Sequence, residues 1–333
     1  MLDDRPSQVL QALVEEYIAT GQPVSSQTVL EKSGLKVSSA TIRNDLAKLE
    51  SYGLVAQPHT SAGRVPTPQG YRFFVDHCSP ARLRSATRSR IESFFTDVHH
   101  ELSKLLKDTS GLLSDISHYP AVVLGPGLGS ESVHGMHLVH LGANTLLAVT
   151  VAESGRVAQE IVRLQFDPSD DELNQAEALL AQAYCGKPLE DGAEVMKTIV
   201  GDEVSDRLRR ILRSVASRLR RSEESTSDVY VGGHSQLAAL WEDLANVSIV
   251  LGVLGQEATL RELITDPGEG TAVRIGSELN VENMDIAVVS TAYEAGEHGT
   301  GRVGVIGPMR MDYRRTIRVV EEVGEGLADS LGS

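Results

Sequence analysis

The chain has 333 residues, two cysteines and a formal net charge of −15. That length exceeds one typical core, so two or three domains are expected. Cys78 and Cys185 offer neither a disulfide framework nor metal-ligand spacing, and no run of about eighteen apolar residues is present to span a membrane. Met1-Leu2-Asp3-Asp4 lacks the basic and apolar regions of a signal peptide, which predicts a cytoplasmic protein. The acidic balance argues at first against nucleic acid, but it is uneven. Between Ser25 and Phe74 stand six Lys or Arg (Lys32, Lys36, Arg43, Lys48, Arg64, Arg72) against three acids, and a local basic patch is enough for phosphate contacts.

Pro6 to Thr20 reads as a first helix, capped by Asp3 or Asp4, with Val9, Leu10, Leu13, Val14, Tyr17 and Ile18 as its apolar stripe. Gly21 and Pro23 end it. Ser25 or Ser26 caps a short second helix that stops at Gly34. A turn through Leu35-Lys36-Val37 leads to a third helix, capped by Ser38 and unbroken until Gly53. On that helix Ile42, Leu46 and Leu49 share one face. Ala40, Asn44 and Ala47 lie opposite, flanked by Thr41, Arg43 and Lys48. Small residues permit close approach, Asn can pair with adenine, and Arg can pair with guanine or a phosphate, as a helix entering the major groove requires. Three helices with a Gly-containing turn between the last two make a helix-turn-helix.

After Gly53 the period changes. Leu54 to Gln57 predicts a strand, Pro58 to Gly63 a polar turn and Arg64-Val65-Pro66 a return, so a hairpin falls where a winged helix keeps its wing. His59, Thr60, Ser61 and Arg64 are placed at its tip, within reach of the phosphate backbone or a minor groove. Thr67 and Pro68 start a further helix with Tyr71, Phe73, Phe74 and Val75.

Pro80 to His118 is charged and helical, a connector that packs on the next domain or forms a dimer seam. Ala121 to Leu124 predicts a buried strand. Gly125-Pro126-Gly127-Leu128-Gly129 mimics part of a phosphate cradle but lacks the Lys-Ser/Thr ending, so it reads as a turn. Met136–Leu141, Thr145–Ala152 and Arg156–Leu164 predict an antiparallel three-stranded sheet. His134, His137 and His140 suggest a metal, but on a strand His137 points away from the other two. Asp167–Tyr184, Glu190–Val200 and Val204–Arg221 predict helices. The last is Arg-rich, a face better read as paired with acids or with another subunit than as a second nucleic-acid surface. Strands are expected at 228–231, 247–254, 273–275, 286–293 and 302–306, with a helix over 236–244 and a closing helix over 313–331. No nucleophile elbow or other catalytic constellation is found, and neither a cofactor nor a metal is called for.

The runs Gln22-Pro23-Val24-Ser25-Ser26, Val37 to Leu46, Gln57 to Thr67 and Gly70-Tyr71-Arg72 together resemble the N-terminal domain of the HrcA family of bacterial heat-inducible transcription repressors. Gly304-Val305-Ile306-Gly307-Pro308-Met309-Arg310-Met311-Asp312-Tyr313 is similar to a C-terminal block of the same family. The resemblance implies an α+β multidomain chain: a winged helix-turn-helix over 1–78, a GAF-like α/β domain over 79–132 and 228–333, and an inserted dimerising domain over 133–227. It implies a repressor of heat-shock chaperone operons of the groE/dnaK type. Such a repressor binds an inverted-repeat operator as a homodimer, with its active state supported by the GroEL chaperonin. Ser38, Ser39, Thr41, Arg43, Asn44, Lys48, His59, Thr60, Ser61 and Arg64 are the candidate DNA contacts. A second reading is a metabolite-responsive regulator whose GAF-like domain senses a small ligand.

Overall fold

The computed structural model describes residues 2–59, 62–96, 102–127, 131–153, 155–189, 191–192, 196, 204–225, 228–240, 244–266, 268, 270–279, 285–296 and 299–332. The chain forms two compact units. One comprises Met1–Val123, Val231–Ala292 and Val303–Gly326, and the other Leu124–Tyr230, Tyr293–Arg302 and Leu327–Ser333.

The first unit opens with α1 (Asp4–Thr20), α2 (Ser26–Ser33) and α3 (Ser39–Ser51). Val9, Leu10, Leu13 and Val14 of α1 are fully buried together with Val29, Ile42 and Leu49, so three amphipathic stripes meet in one small core. Gly21 and Gly34 end α1 and α2 in the left-handed conformation, at φ 67° and 65°, which costs a glycine nothing. Asp3 occupies the N-cap of α1 but makes no capping bond, because its carboxylate accepts from Lys48 instead, at 2.7 Å. Strands β1 (Val55–Ala56) and β2 (Val65–Pro66) pair antiparallel, Val55 opposite Pro66. Val24 joins the hairpin through two backbone bonds to Arg64, each 2.9 Å, a pairing not foreseen from the sequence. The result is a winged helix-turn-helix. Helix α4 (Pro68–His77) follows, with Thr67 capping Gly70 N–H at 3.1 Å.

The charged tract after residue 80 forms α5 (Ser85–Thr96) and α6 (Leu102–Ser117), and the residues between them lie outside the described set. Strands β3 (Ala121–Leu124), β7 (Val229–Gly232), β8 (Ala272–Ile275), β9 (Ile286–Glu294) and β10 (Thr300–Pro308) build a sheet in the order β7-β3-β10-β9-β8. The closing helix, labelled α12 (Tyr313–Leu331), buries Val319, Val320 and Val323 completely.

The second unit holds β4 (Val133–Gly142), β5 (Thr145–Ala152) and β6 (Val157–Arg163) in one antiparallel sheet. Its even-numbered residues Leu146, Ala148 and Val162 pack with Leu180 and Tyr184 of α7 (Asp170–Tyr184) and with Ile211, Leu212 and Val215 of α8 (Asp206–Ser225). Ser169 and Glu172 form a capping box at α7, so that helix starts three residues later than Asp167. Arg207 reaches across from α8 to Glu172 at 2.6 Å and, as the first cause, holds that carboxyl down at about 2. Arg209 pairs with Asp206, and Arg218 with Glu160. Three arginines of the basic face are thus paired with neighbouring acids. The helix expected over 190–200 lies almost wholly outside the described residues.

One expectation is overturned. Residues 247–254 are not a strand but belong to α10 (Leu244–Leu254). The run is apolar but for Ser248 and Gly252, so its composition shows almost no period. Burial reveals one: Val250, Val253 and Leu254 are inside, while Leu251 is 45% exposed, which is helical spacing. The expected helix over 236–244 shrinks to a 3-10 turn and α9 (Leu237–Leu240), with 241–243 outside the described residues. Helix α11 (Glu257–Ile264), which buries Leu260, Leu263 and Ile264, was not anticipated.

Gly70 is fixed by close approach, since a Cβ there would stand 2.0 Å from the Leu54 carbonyl oxygen. Gly70→Ala is expected to cost about 1–3 kcal/mol by overpacking. Thermal unfolding followed by far-UV circular dichroism would register this as a lowered midpoint, and an unshifted midpoint would contradict the packing described.

Candidate nucleic-acid interface

Helix α3 is built to show one face. Ser38 Oγ accepts from the Thr41 N–H at 3.2 Å and lies 2.9 Å from the Thr41 hydroxyl. That cap sets the start of the helix and therefore which side chains face outward. Ile42, Leu46 and Leu49 are buried, and Asp45 beside them is only 4% exposed. Arg5 of α1 meets the Asp45 carboxylate with two donors, at 2.8 and 3.0 Å, the fork geometry that suits a carboxylate. Ala40, Arg43, Asn44 and Ala47 are exposed, and Ser39, Thr41 and Lys48 half-exposed. The small residues leave room for a groove wall, and the Arg and Asn heads project beside them.

The cations differ in freedom. Arg43 Nε donates to Ser26 Oγ at 3.4 Å, a long contact to the first residue of α2. Ser26 was not among the candidates, although the Ser25-Ser26 pair at a helix start was the available signal. Lys48 bonds to Asp3 at 2.7 Å, and this contact first of all raises the lysine and lowers the aspartate. Both groups are open to water, so the pair can be exchanged for a phosphate.

The wing divides the remaining candidates. His59 is exposed at the turn, and Thr60 and Ser61 lie outside the described residues. Arg64 stands at the base of the hairpin, next to β2, and not at the tip. Its backbone is bonded to Val24, and its guanidinium to Glu50 at 2.9 Å. Its first role is to tie the wing to α3. Residues 38–48 thus form one continuous surface, and Arg64 braces it from the side.

The three histidines of β4 are each taken by a different carboxylate: His134 by Glu153, His137 by Glu177 and His140 by Asp167. No group of His, Cys, Asp and Glu suited to a metal occurs among the described residues. Among those residues no helix is long and apolar enough to cross a membrane.

The family profile described as HrcA protein C terminal domain matches residues 103–317, and that of a DeoR-like helix-turn-helix domain matches 11–66. The chain belongs to the HrcA family of heat-inducible transcription repressors. Its relatives carrying that name include one from Thermobifida fusca, 37% identical over 99% of this chain and 97% of the relative. Another, from Frankia casuarinae, is 36% identical over the whole of both chains. A third, from Halalkalibacterium halodurans, is 32% identical over 99% of this chain and 98% of its own. A hypothetical protein solved crystallographically at 2.2 Å superposes with a TM-score of 0.61 at 29% identity, covering 100% of this chain and 99% of that one. The HrcA family is one of repressors and not of enzymes, and the helix-turn-helix is its means of holding DNA.

Ser38→Ala removes the cap of α3 and is expected to cost that helix about 1 kcal/mol. Hydrogen exchange should show faster exchange at the first-turn amides of α3 and little change in α1. Equal protection in both proteins would mean that the cap does not set the helix start.

Proposed function

We propose that this HrcA-family protein represses heat-shock chaperone operons by binding an inverted-repeat operator as a homodimer. The observation that carries the reading is the outer face of α3, where Ala40, Arg43, Asn44 and Ala47 stand exposed on a helix whose other side is buried. Arg43 and Asn44 read base edges. Ser38, Ser39, Thr41 and Lys48 bind phosphates, aided by the free N–H groups of the helix start. His59, Thr60 and Ser61 meet the backbone at the wing, with Arg64 behind them. The three-part division into a head over 1–78, a GAF-like domain over 79–132 and 228–333, and a dimerising insert over 133–227 follows the family resemblance. So does support of the active state by the GroEL chaperonin. A cytoplasmic location accords with both.

Two heads related by a two-fold axis read the two halves of an inverted repeat, so the reading requires a dimer. The face of the β4-β5-β6 sheet turned away from α7 and α8 suits a second copy of the chain. Val139, Leu147 and Ile161 stand in one cross-strand row, and Val151 stands opposite Val157. Val139 is 45% exposed, and Val157 and Ile161 each 53%. Exposed apolar side chains grouped in this way mark an interaction surface.

A gel-shift titration on an inverted-repeat operator, against a duplex with one scrambled half-site, tests the function. Strong preference for the intact repeat, increased by added GroEL, is expected. Arg43→Ala and Asn44→Ala should each weaken operator binding by about 1–3 kcal/mol and random-duplex binding far less. Equal loss on both duplexes would refute base readout by these residues. Ile161→Arg should convert the dimer to monomer in analytical ultracentrifugation with helical content retained, and a variant that stays dimeric would move the seam elsewhere.

A further inference from the structure

The C-terminal block Pro308 to Tyr313 has no part in the DNA-reading face. It lines a cavity of about 670 Å3 within the first unit, shared with α1 and α4 of the winged helix. Cavities of this size hold small-molecule ligands. Its lining includes the apolar Ile18 and Ala19 from α1 and Phe74 from α4, together with the charged Arg310, Asp312 and Arg314.

The charged lining residues are unequally satisfied. Arg314 donates to Glu15 at 3.1 Å and to the Ser79 carbonyl at 3.0 Å. Asp312 caps α12 by accepting from the Arg315 N–H at 3.1 Å. Arg310 is exposed and, among the described residues, makes no hydrogen bond or ion pair. Its guanidinium lies over the end of α1, so close that a Cβ on Gly21 would stand 2.8 Å from Nη1. The negative end of the helix dipole favours a cation there. That field holds the group in place without using its donors.

We propose that this cavity binds a small organic carboxylate with an apolar body. The fork of Arg310 takes the carboxylate, and the body lies on Ile18 and Ala19. A single unengaged guanidinium matches one carboxylate. Glu15 and Asp312 in the lining repel a phosphate dianion more than a single carboxylate, and the apolar lining residues give no return to a purely polar ion. Such a ligand touches α1 and the start of α12 together. It therefore couples the reading head to the α/β body and changes operator affinity. This effector role rests on the operator-reading function proposed above, whereas the binding itself does not.

Hexanoate is a suitable probe, titrated into the full-length protein and followed by ligand-detected NMR, with hexylamine and 1-hexanol as controls. Saturable binding of hexanoate is expected, at least tenfold tighter than either control. Arg310→Gln should abolish it, and Arg310→Lys, which keeps the charge but not the fork, should retain a weakened form. Circular dichroism and operator binding without hexanoate establish that each variant is folded. No saturable hexanoate binding, or equal binding by Arg310→Gln, would overturn the proposal. If the unliganded protein reads its operator while hexanoate fails to bind, only the cavity assignment falls. If hexanoate binds while the operator is ignored, the cavity stands and the DNA-reading assignment falls.

Discussion

Asp45 sits in the middle of α3 with its side chain 5% exposed. A carboxylate removed from water needs donors, and one left without them opposes burial of everything around it. Arg5 supplies two donors from α1. The pair therefore specifies more than it stabilises. It fixes the rotation of α3 about its axis relative to α1, because any other rotation strands the carboxylate among Ile42, Leu46 and Leu49. Once that rotation is set, Ala40, Arg43, Asn44 and Ala47 face outward, on the surface proposed to read DNA.

The charge distribution follows from the same economy. Many arginines in this acidic chain have acids beside them, as with Arg207 and Glu172 or Arg218 and Glu160 in the second unit. These pairs hold α8 to α7 and to β6. The exposed cations of α3 are held more loosely, Lys48 by an open pair with Asp3 and Arg43 by a long contact with Ser26. A polyanion can compete for such groups.

Much of the head was legible in the sequence because local rules and tertiary demand agree there. Ser25, Ser38 and Thr67 cap the helices their positions predict, and the stripes of α1 and α3 are the buried ones. The sheet of the second unit was legible for the same reason, as short turns separate alternating strands. Legibility failed where periodicity is absent. Residues 247–254 are apolar but for Ser248 and Gly252, so a helix and a buried strand look alike until the packing partners are known. The pairing of Val24 with Arg64 could not be read because a single bridge leaves no pattern. The ties of Arg64 to Glu50 and of Lys48 to Asp3 join residues 14 and 45 positions apart, and sequence offers no means to choose among so many possible partners. The family motif near residue 310 was visible, but its place beside α1 is a property of the fold alone.

The two backbone bonds between Val24 and Arg64 have a consequence for the thermodynamics of recognition. They clamp the base of the wing to the segment that leads into α2, and Glu50 adds a side-chain tie from the end of α3. Wing base, positioning helix and reading helix thus move as one rigid body. The conformational entropy of arranging them is lost during folding and not again at the DNA. Association then need order little beyond side chains. A duplex whose groove does not fit must bend to meet the protein, since the protein has little freedom to bend to the duplex, and the sequence dependence of DNA stiffness becomes part of what the head can discriminate.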